Sequence, residues 1–216
     1  MIVSVHIPKT AGSSFKDLLL RELGENRVCL RYGQTPLRHR AEGQPIPPLD
    51  LTGDSECMLI HGHFVADRLI LPPASAPPRY IAWLRHPVER LVSHYLFWKR
   101  QPYPDQPLCR RLLEEDLGLE AFAALDGMRD LQRFFLGGLP LSQFDFIGIT
   151  ERFDESIDRF NVTFGTDLPT AMRVNVNPDK PTRDYRAILG EREYDAIAEL
   201  NAADMMLYQQ AVASFG

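Results

Sequence analysis

Five short apolar segments, spaced between amphipathic ones, set the pattern of this 216-residue chain. Most of them are continuous runs of apolar residues and do not alternate with polar residues. That pattern is typical of strands covered on both faces, as in a parallel sheet with helices on either side. The segments predicted as strands are 2–7, 27–31, 57–61, 79–84 and 144–149.

Helical periodicity fills the stretches between these segments. Residues 13–23 place Phe15, Leu18 and Leu19 on one face, and residues 87–99 open with Pro87, which suits a first helical turn. Together the two patterns predict an α/β protein with a P-loop-like, three-layer fold around a central, mostly parallel sheet. Further helices are predicted at 108–116, 119–136, 154–164 and 191–213.

Two regions interrupt the alternation of strands and helices. Residues 32–56 are rich in proline and glycine and predict a long excursion, whereas residues 100–143 predict several helices with no strand among them. The length suits one domain with a sizeable core. We therefore predict a single domain over residues 1–216, with a helical insertion or cap at about 100–143.

Composition narrows the class of protein. The net charge of -5 argues against non-specific nucleic-acid binding. No segment approaches the roughly 18 consecutive apolar residues of a membrane-spanning helix, and the first strand begins too early to leave room for a signal peptide. We expect a cytoplasmic protein with no membrane span. Its three cysteines (Cys29, Cys57 and Cys109) lack C-x-x-C spacing and are predicted to be reduced thiols.

Residues 6–15, HIPKTAGSSF, predict an anion-binding loop between the first strand and the first helix. Backbone N–H groups of this loop and the positive end of the helix dipole would converge on one point. Lys9 precedes the glycine, unlike the lysine of the Walker pattern. The alternative is a plain turn with Ser13 as helix N-cap. The candidate anion ligands are Lys9, Thr10, Ala11, Gly12, Ser13 and Ser14.

A second stretch, WLRHPVERLVSHYLFW at 83–98, repeats the arrangement of strand, turn and helix. Arg85 stands at the carboxyl end of the strand, where ligands bind in open α/β sheets, so it should share a crevice with the Lys9 loop. Ser93 lies two helical turns further on. The alternative is a structural salt bridge for Arg85 and a surface position for Ser93.

A candidate general base follows the third predicted strand, in LIHGHF at 59–64. His61 and His63 are two residues apart, so in an extended segment both rings point to one side. Histidine suits proton transfer near neutral pH. A metal-binding pair and ordinary polar packing are the alternatives, and no third metal ligand stands out in the sequence.

Taken together, the first two motifs resemble those of sulfotransferases that use 3′-phosphoadenosine 5′-phosphosulfate (PAPS). The resemblance is to the carbohydrate, Golgi-type group, notably the 2-O-sulfotransferases and their bacterial relatives. It implies that Lys9 contacts the sulfuryl group, that Thr10 to Ser14 cradle the 5′-phosphate, and that Arg85 and Ser93 hold the 3′-phosphate. His86 departs from the aspartate of many relatives, and we expect it still to cap the helix.

The same resemblance extends to weaker features of the chain. His61 and His63 match a His-Gly-His segment that supplies the base and an acceptor contact, and His61 is favoured as the base because it lies nearer the strand end. A loop at 173–185 would close over the nucleotide, with Lys180 or Arg183 reaching a phosphate. Glu151 and Arg152, at the next strand end, are further candidates, although helix-terminal charges explain them as well.

The function implied is sulfuryl transfer from PAPS to a hydroxyl group of a saccharide or small metabolite, with 3′-phosphoadenosine 5′-phosphate (PAP) as product and no required metal. A P-loop kinase is the alternative enzyme. The position of Lys9 and the lack of a strand ending in a Walker B acid disfavour it. A non-catalytic nucleotide-binding or sulfated-ligand-binding module is the third possibility, and the histidine pair disfavours that.

Overall fold

The computed structural model describes residues 1–33, 35–73, 76–170 and 184–215. In these ranges the strands are β1 Ile2–Val5, β2 Val28–Arg31, β3 Leu49–Asp50, β4 Leu59–Gly62, β5 Leu69–Ile70, β6 Arg79–Leu84 and β7 Phe146–Ile149. The longer helices are α1 Gly12–Leu23, α3 Pro87–Arg100, α7 Phe153–Phe164, α9 Glu191–Leu200 and α10 Ala202–Ser214. The shorter helices are α2 Pro36–Ala41, α4 Pro107–Glu114, α5 Leu119–Ala123, α6 Leu131–Phe135 and α8 Tyr185–Leu189.

Five of these strands form one parallel sheet in the order β2-β4-β1-β6-β7. β1 lies at its centre, where Val5 pairs with Gly62 of β4 on one side and with Ala82 of β6 on the other. The carboxyl ends of β1, β4 and β6 therefore lie side by side at one edge. The segments that follow these three strands carry the candidate site residues.

Hydrophobic packing covers both faces of the sheet. Along β6, Ala82 and Leu84 pack into one core with α3, whereas Ile81 and Trp83 pack into another core with Phe15 of α1. The central strands β1, β4 and β6 are thus buried on both sides, which explains why their apolar residues are continuous. The α/β class, the three layers and the mostly parallel sheet are confirmed.

Two predicted helices are each interrupted. The one expected over 119–136 ends at Ala123 and resumes at Leu131, after Asp130 with a φ of 44°. The one expected over 191–213 breaks at Asn201. The two breaks face each other, because Asp130 N donates to Asn201 Oδ1 (3.1 Å) and Asp204 N donates to Asp130 Oδ1 (2.9 Å). Among the described helices, none is long and apolar enough to cross a bilayer.

The excursion of residues 32–56 contains regular structure. It includes α2 and then β3, which pairs with β5 in a separate two-stranded parallel sheet. This small sheet lies outside the pattern expected from the sequence, because a two-residue strand carries too few apolar positions to show a period.

The expectation of three reduced cysteines is wrong for two of them. Cys29 and Cys57 form a disulfide with a Cα–Cα distance of 5.9 Å, and Cys109 is free and buried. The physical reason is strand pairing: β2 lies against β4, and Met58 N donates to Arg27 O, so residues 28 positions apart in sequence become neighbours. That distance is within the usual range for a disulfide.

Candidate active site

The loop after β1 is held in an unusual backbone conformation. Lys9 has a φ of 71° and Ala11 a φ of 64°, although neither is glycine. Such a conformation costs on the order of 1–3 kcal/mol per residue and persists where the surroundings enforce it, often at binding sites. Thr10, fully buried between them, donates from Oγ1 to the Ile7 carbonyl (2.9 Å). Residues alternating in this way turn successive N–H groups toward one concavity.

The amino terminus of α1 opens onto that concavity. Ala11 is the N-cap, and Phe15 N donates the first backbone bond of the helix to Ala11 O (3.0 Å). Ser13 lies one residue inside the helix and does not cap it. A Cβ at Gly12 would come within 2.0 Å of the His6 ring, so only glycine fits there. The positive end of the α1 dipole is thus directed at the loop.

Arg85 and Lys9 lie against each other across two strand ends. Arg85 Nη1 is 3.5 Å from the Lys9 carbonyl oxygen, and its Nη2 is 3.4 Å from Glu89 Oε2. Both contacts are long. Arg85 Nε is buried and has no hydrogen-bond partner among the described residues. The guanidinium therefore retains capacity for an anion.

Ser93 lies on the face of α3 that is turned toward Lys9 and Arg85 by Phe97 and Glu89. It is half-buried on α3, four residues after Glu89 and four before Phe97, so these three side chains share one face of the helix. Lys9 Nζ lies 3.9 Å from the centroid of the Phe97 ring. The structure thus brings Lys9 and Arg85 together, and the role of Ser93 stays a prediction.

A buried glutamine holds the main chain of Arg85. Gln132 of α6 is fully buried, its Oε1 accepts from Arg85 N (2.8 Å), and its Nε2 donates to Arg85 O (2.9 Å). Asp204 Oδ2 accepts from Gln132 N (2.9 Å). Sequence analysis missed Gln132, since nothing in the sequence connects it to a strand end 47 residues away.

Three histidine rings stack at the ends of β1 and β4. The His6 ring lies between those of His61, at 4.9 Å between centroids, and His63, at 4.3 Å. Tyr32 adds its hydroxyl group, 2.8 Å from His6 Nδ1. His61 and His63 therefore both contact the His6 ring. Gly62 between them is required, because a Cβ there would meet Arg31 O at 1.9 Å.

His61 and His63 differ in access to solvent and in hydrogen bonding. His61 is 1% exposed, with Nδ1 at 2.7 Å from Ser4 Oγ, and burial together with the nearby His63 lowers its pKa to about 3. His63 is partly exposed, and its Nδ1 donates to the His6 carbonyl (2.7 Å). Burial also lowers the pKa of His63, and the bond to His6 opposes that change. This bond fixes the proton on Nδ1 and leaves the lone pair on Nε2.

The neighbourhood of the crevice is cationic. Lys9 and His63 both lower the pKa of buried His94, after the larger effects of its burial and of Arg90. Lys9 and His63 also lower the pKa of His6, for which burial is the main cause. Burial therefore keeps the histidine cluster neutral, and the charge of Lys9 adds a smaller effect at His6.

Two other candidates have structural partners. Glu151 accepts from His86 N (2.9 Å) and from the Tyr208 hydroxyl (3.1 Å). The expectation that the His86 side chain caps α3 is wrong: it makes no capping bond, and its Nε2 lies 3.2 Å from the Tyr194 hydroxyl. The reason is that the His86 ring packs against Tyr194 and Tyr208, at 6.1 and 5.4 Å between ring centroids. Arg152 forms an ion pair with Glu155 at 2.6 Å.

The remaining expectations concern a nucleotide-closing loop and a metal. Lys180 and Arg183 lie outside the described residues. Within the described ranges, the group whose ligand atoms are close enough for a metal consists of Cys29, Asp54 and Cys57, and it does not include His61 or His63. Its two thiols are joined as the disulfide.

No protein-family model matches the chain. Over 238 residues it is 21% identical to an uncharacterized protein of Archaeoglobus fulgidus, which covers 96% of this chain and 94% of that protein. The solved structures it resembles include a sulfotransferase from Alicyclobacillus acidocaldarius (13% identity, 92% of this chain, 94% of that chain, TM-score 0.43). They also include mouse sulfotransferase SULT7A1 complexed with PAP (16% identity, 78% of this chain, 59% of that chain, TM-score 0.42). Similarity at this level does not place the chain in a family.

Proposed function

We propose that this protein is a PAPS-dependent sulfotransferase that transfers a sulfuryl group to a hydroxyl group of a carbohydrate or small metabolite. The observation that carries the proposal is the contact between Arg85 and the Lys9 loop. Arg85 Nε is buried and has no partner in the described part of the chain, and it lies beside a loop whose backbone is shaped for an anion. A nucleotide with separate 5′ and 3′ phosphates needs two such cationic positions in one crevice.

The residues present fit this nucleotide. The N–H groups at the start of α1 would hold the 5′-phosphate, with Ser13 and Ser14 as additional donors. Arg85 and Ser93, on the adjoining strand end and helix, would hold the 3′-phosphate through charge-assisted hydrogen bonds. PAPS supplies an activated sulfuryl group, and its transfer depends on positioning and electrostatic stabilisation, with no bridging metal needed.

Lys9 is the residue that acts on developing charge. Its ammonium group lies at the mouth of the loop, over the Phe97 ring. There it would stabilise negative charge on the oxygen that PAP retains as the bond to sulfur breaks. Because this charge appears only in the transition state, Lys9 should affect turnover more than PAP affinity.

We assign the base to His63 in preference to His61, because His61 is buried and already bonded to Ser4. His63 Nε2 would accept the acceptor's hydroxyl proton as the new S–O bond forms. His61 then acts by holding the His6 ring, against which His63 packs. The His61-Gly62-His63 segment also supports a carbohydrate acceptor, since it resembles that of the 2-O group.

Isothermal titration calorimetry with PAP and with AMP tests the proposal, since AMP lacks the 3′-phosphate. We expect PAP to bind roughly ten- to a hundredfold more tightly, because a hydrogen bond to a charged group contributes about 1.5–3 kcal/mol. Arg85→Met should remove most of that preference. Arg100→Met, at the exposed far end of α3, serves as the matched control. Equal affinity of the wild-type protein for PAP and AMP would overturn the proposal.

A further inference from the structure

A second concave surface lies beside the histidine cluster. This groove of about 460 Å³ runs between α2, the segment after His63 and α6, and its charged lining residues are Arg40, Arg68, Arg133, Asp67 and Asp130. Val65, two residues beyond His63, also lines it. Ala66 N donates to Phe135 O (2.9 Å), and the Phe135 ring is 6.2 Å from that of His63. The groove thus lies next to the segment that carries His63.

Within the part of the chain that the structure describes, Arg40 brings a guanidinium with one unsatisfied donor to this groove. Its Nη2 donates to the Arg129 carbonyl (2.6 Å), and its guanidinium lies over the Phe134 ring, 4.6 Å from the centroid. Nη1 is buried, with no hydrogen-bond partner in the described ranges. Burial lowers the pKa of Arg40, which means that the charge is held at a cost. A buried guanidinium normally has a paired anion.

A second arginine beneath the groove adds to the excess of positive charge. Arg90 is fully buried, its Nε has no partner among the described residues, and its pKa is lowered by burial to about 10. The carboxylate that attracts both Arg90 and Arg40 is Asp204. Its two oxygens already accept from Gln132 N (2.9 Å) and Arg133 N (2.7 Å).

The two carboxylates in the groove lining leave this excess in place. Asp67 lies beside Arg68, 3.6 Å between Oδ2 and Nε. Asp130 accepts from Asp204 N (2.9 Å). Arg133 is exposed at the rim. The lining contains three arginines and two carboxylates, so its net charge is positive.

We propose that this groove binds an anionic group, a carboxylate or a sulfate ester, and that this group belongs to the acceptor. That the anionic group is part of the acceptor rests on the proposed function. An acceptor anchored by Arg40 would present a neighbouring hydroxyl group toward His63, and the anion would supply the missing partner for Arg40 Nη1. An anion that pairs with Arg40 and completes its hydrogen bonds would offset the free-energy cost of burying the guanidinium.

NMR titration with inorganic sulfate tests the site, using ¹⁵N-labelled protein saturated with PAP so that the cofactor crevice is blocked. The amide signals of Gly137 and Gly138, which line the groove, report binding. We expect saturable shifts with sulfate and none with chloride at equal ionic strength. Arg40→Met should weaken sulfate binding roughly tenfold or more. Arg38→Met is the matched control, since Arg38 lies on the same helix paired to Glu42 at 3.1 Å.

Thermal unfolding separates this role from a structural one. Without sulfate, Arg40→Met should unfold close to the wild-type temperature, because losing the bond to the Arg129 carbonyl is offset by removing the cost of a partly buried charge. Arg133→Ala, an exposed change at the rim, provides a second variant with reduced sulfate affinity. Sulfate shifts that are absent, or equal in Arg40→Met and Arg38→Met, would overturn the proposal.

The source of the anion is tested by displacement of sulfate. Methyl glucuronide should displace it at lower concentration than acetate does, while uncharged methyl glucoside should not displace it. If methyl glucuronide needs the same concentration as acetate to displace sulfate, the groove binds a free anion, and the anion is not part of the acceptor. If sulfate binds but PAP does not, the groove is an anion site and the proposed function is wrong. If PAP binds but sulfate does not, the proposed function stands and the groove proposal is wrong.

Discussion

At the scale of single residues, one hydrogen bond decides which nitrogen of His63 can accept a proton. Because Nδ1 donates to the His6 carbonyl, Nε2 carries the lone pair. His61 is also a histidine and lies two positions before His63, yet its ring is enclosed between Ser4 and His6. The same side chain therefore suits proton transfer at one position and packing at the other.

We expect His63→Ala to lower turnover by roughly 10²–10⁴ while PAP affinity stays nearly intact, the usual loss when a positioned base is removed. His61→Ala should cost less turnover and more stability, because it leaves a buried cavity beside Phe15. Steady-state kinetics and PAP calorimetry measure both effects. If His61→Ala abolishes turnover and His63→Ala is mild, the base is His61, as the sequence analysis favours.

The pH dependence of turnover gives a further readout of His63. Only the neutral ring accepts a proton, and burial lowers its pKa below the ordinary 6.5. The rate should therefore rise with pH through an apparent pKa below 6.5 and be level above it. In His63→Ala this acid limb should disappear from the residual rate. An acid limb retained in that variant would assign it to another group.

At the scale of elements, α6 connects the far end of the chain to the carboxyl end of β6. Gln132 holds both main-chain polar groups of Arg85, and Asp204 at the start of α10 holds the first turn of α6. The position of Arg85 is thereby set by three elements that are distant in sequence. Gln132 acts through Arg85, so it is a positioning residue.

Gln132→Leu keeps much of the volume and removes both hydrogen bonds, leaving Arg85 N and O unsatisfied. We expect PAP affinity to fall while AMP affinity changes little, with a loss of stability of about 1–3 kcal/mol. Gln132→Glu keeps the acceptor for Arg85 N, so its preference for PAP should be intermediate. Calorimetry with the two nucleotides measures this. An unchanged ratio of PAP to AMP affinity in Gln132→Leu would show that the contact is only structural.

Helices and strands could be predicted from the sequence where the local pattern of apolar residues determines them. The five strands of the main sheet lie within two residues of the predicted ends, because apolar runs covered on both faces need no further information. The breaks at Asp130 and Asn201 could not be predicted, since each is stabilised by the other across 71 residues. The Cys29–Cys57 disulfide likewise depends on strand pairing.

The same distinction applies to the candidate site. That Lys9 and Arg85 meet was predictable, because parallel strands place their carboxyl ends at one edge. Three other features could not be predicted, since they depend on tertiary contacts without a sequence motif. They are the stacking of His6, its bond to Tyr32 and the unsatisfied Nη1 of Arg40 among the described residues. The roles assigned to these residues and the single-domain boundary stay predictions.

At the scale of the whole molecule, acid should destabilise the fold through its buried histidines. Burial is the main cause of lowered pKa values at five of them, namely His6, His61, His63, His86 and His94. The unfolded chain then binds more protons than the folded one below about pH 6.5, so stability is lost as pH falls. Asp204, with its pKa raised by burial to about 6, works in the opposite direction between pH 4 and 6.

We expect the free energy of unfolding to decrease between pH 7 and pH 5, by up to about 1.4 kcal/mol per pH unit for each fully neutral histidine. Urea denaturation at several pH values measures the slope. His61→Asn should make the slope shallower, since the pKa of His61 is about 3 in the fold. A free energy that is level across this range would contradict the prediction.

The central position of β1 also governs the order in which the fold can be assembled on the ribosome. β1 is synthesised before both of its neighbours, β4 and β6, which are complete only at residues 62 and 84. At a synthesis rate of about 5–20 residues per second, β1 waits several seconds for both partners. During that interval its apolar side chains have no sheet to join. Until both neighbours are complete, the nascent chain therefore exposes β1 as a segment that chaperones can bind.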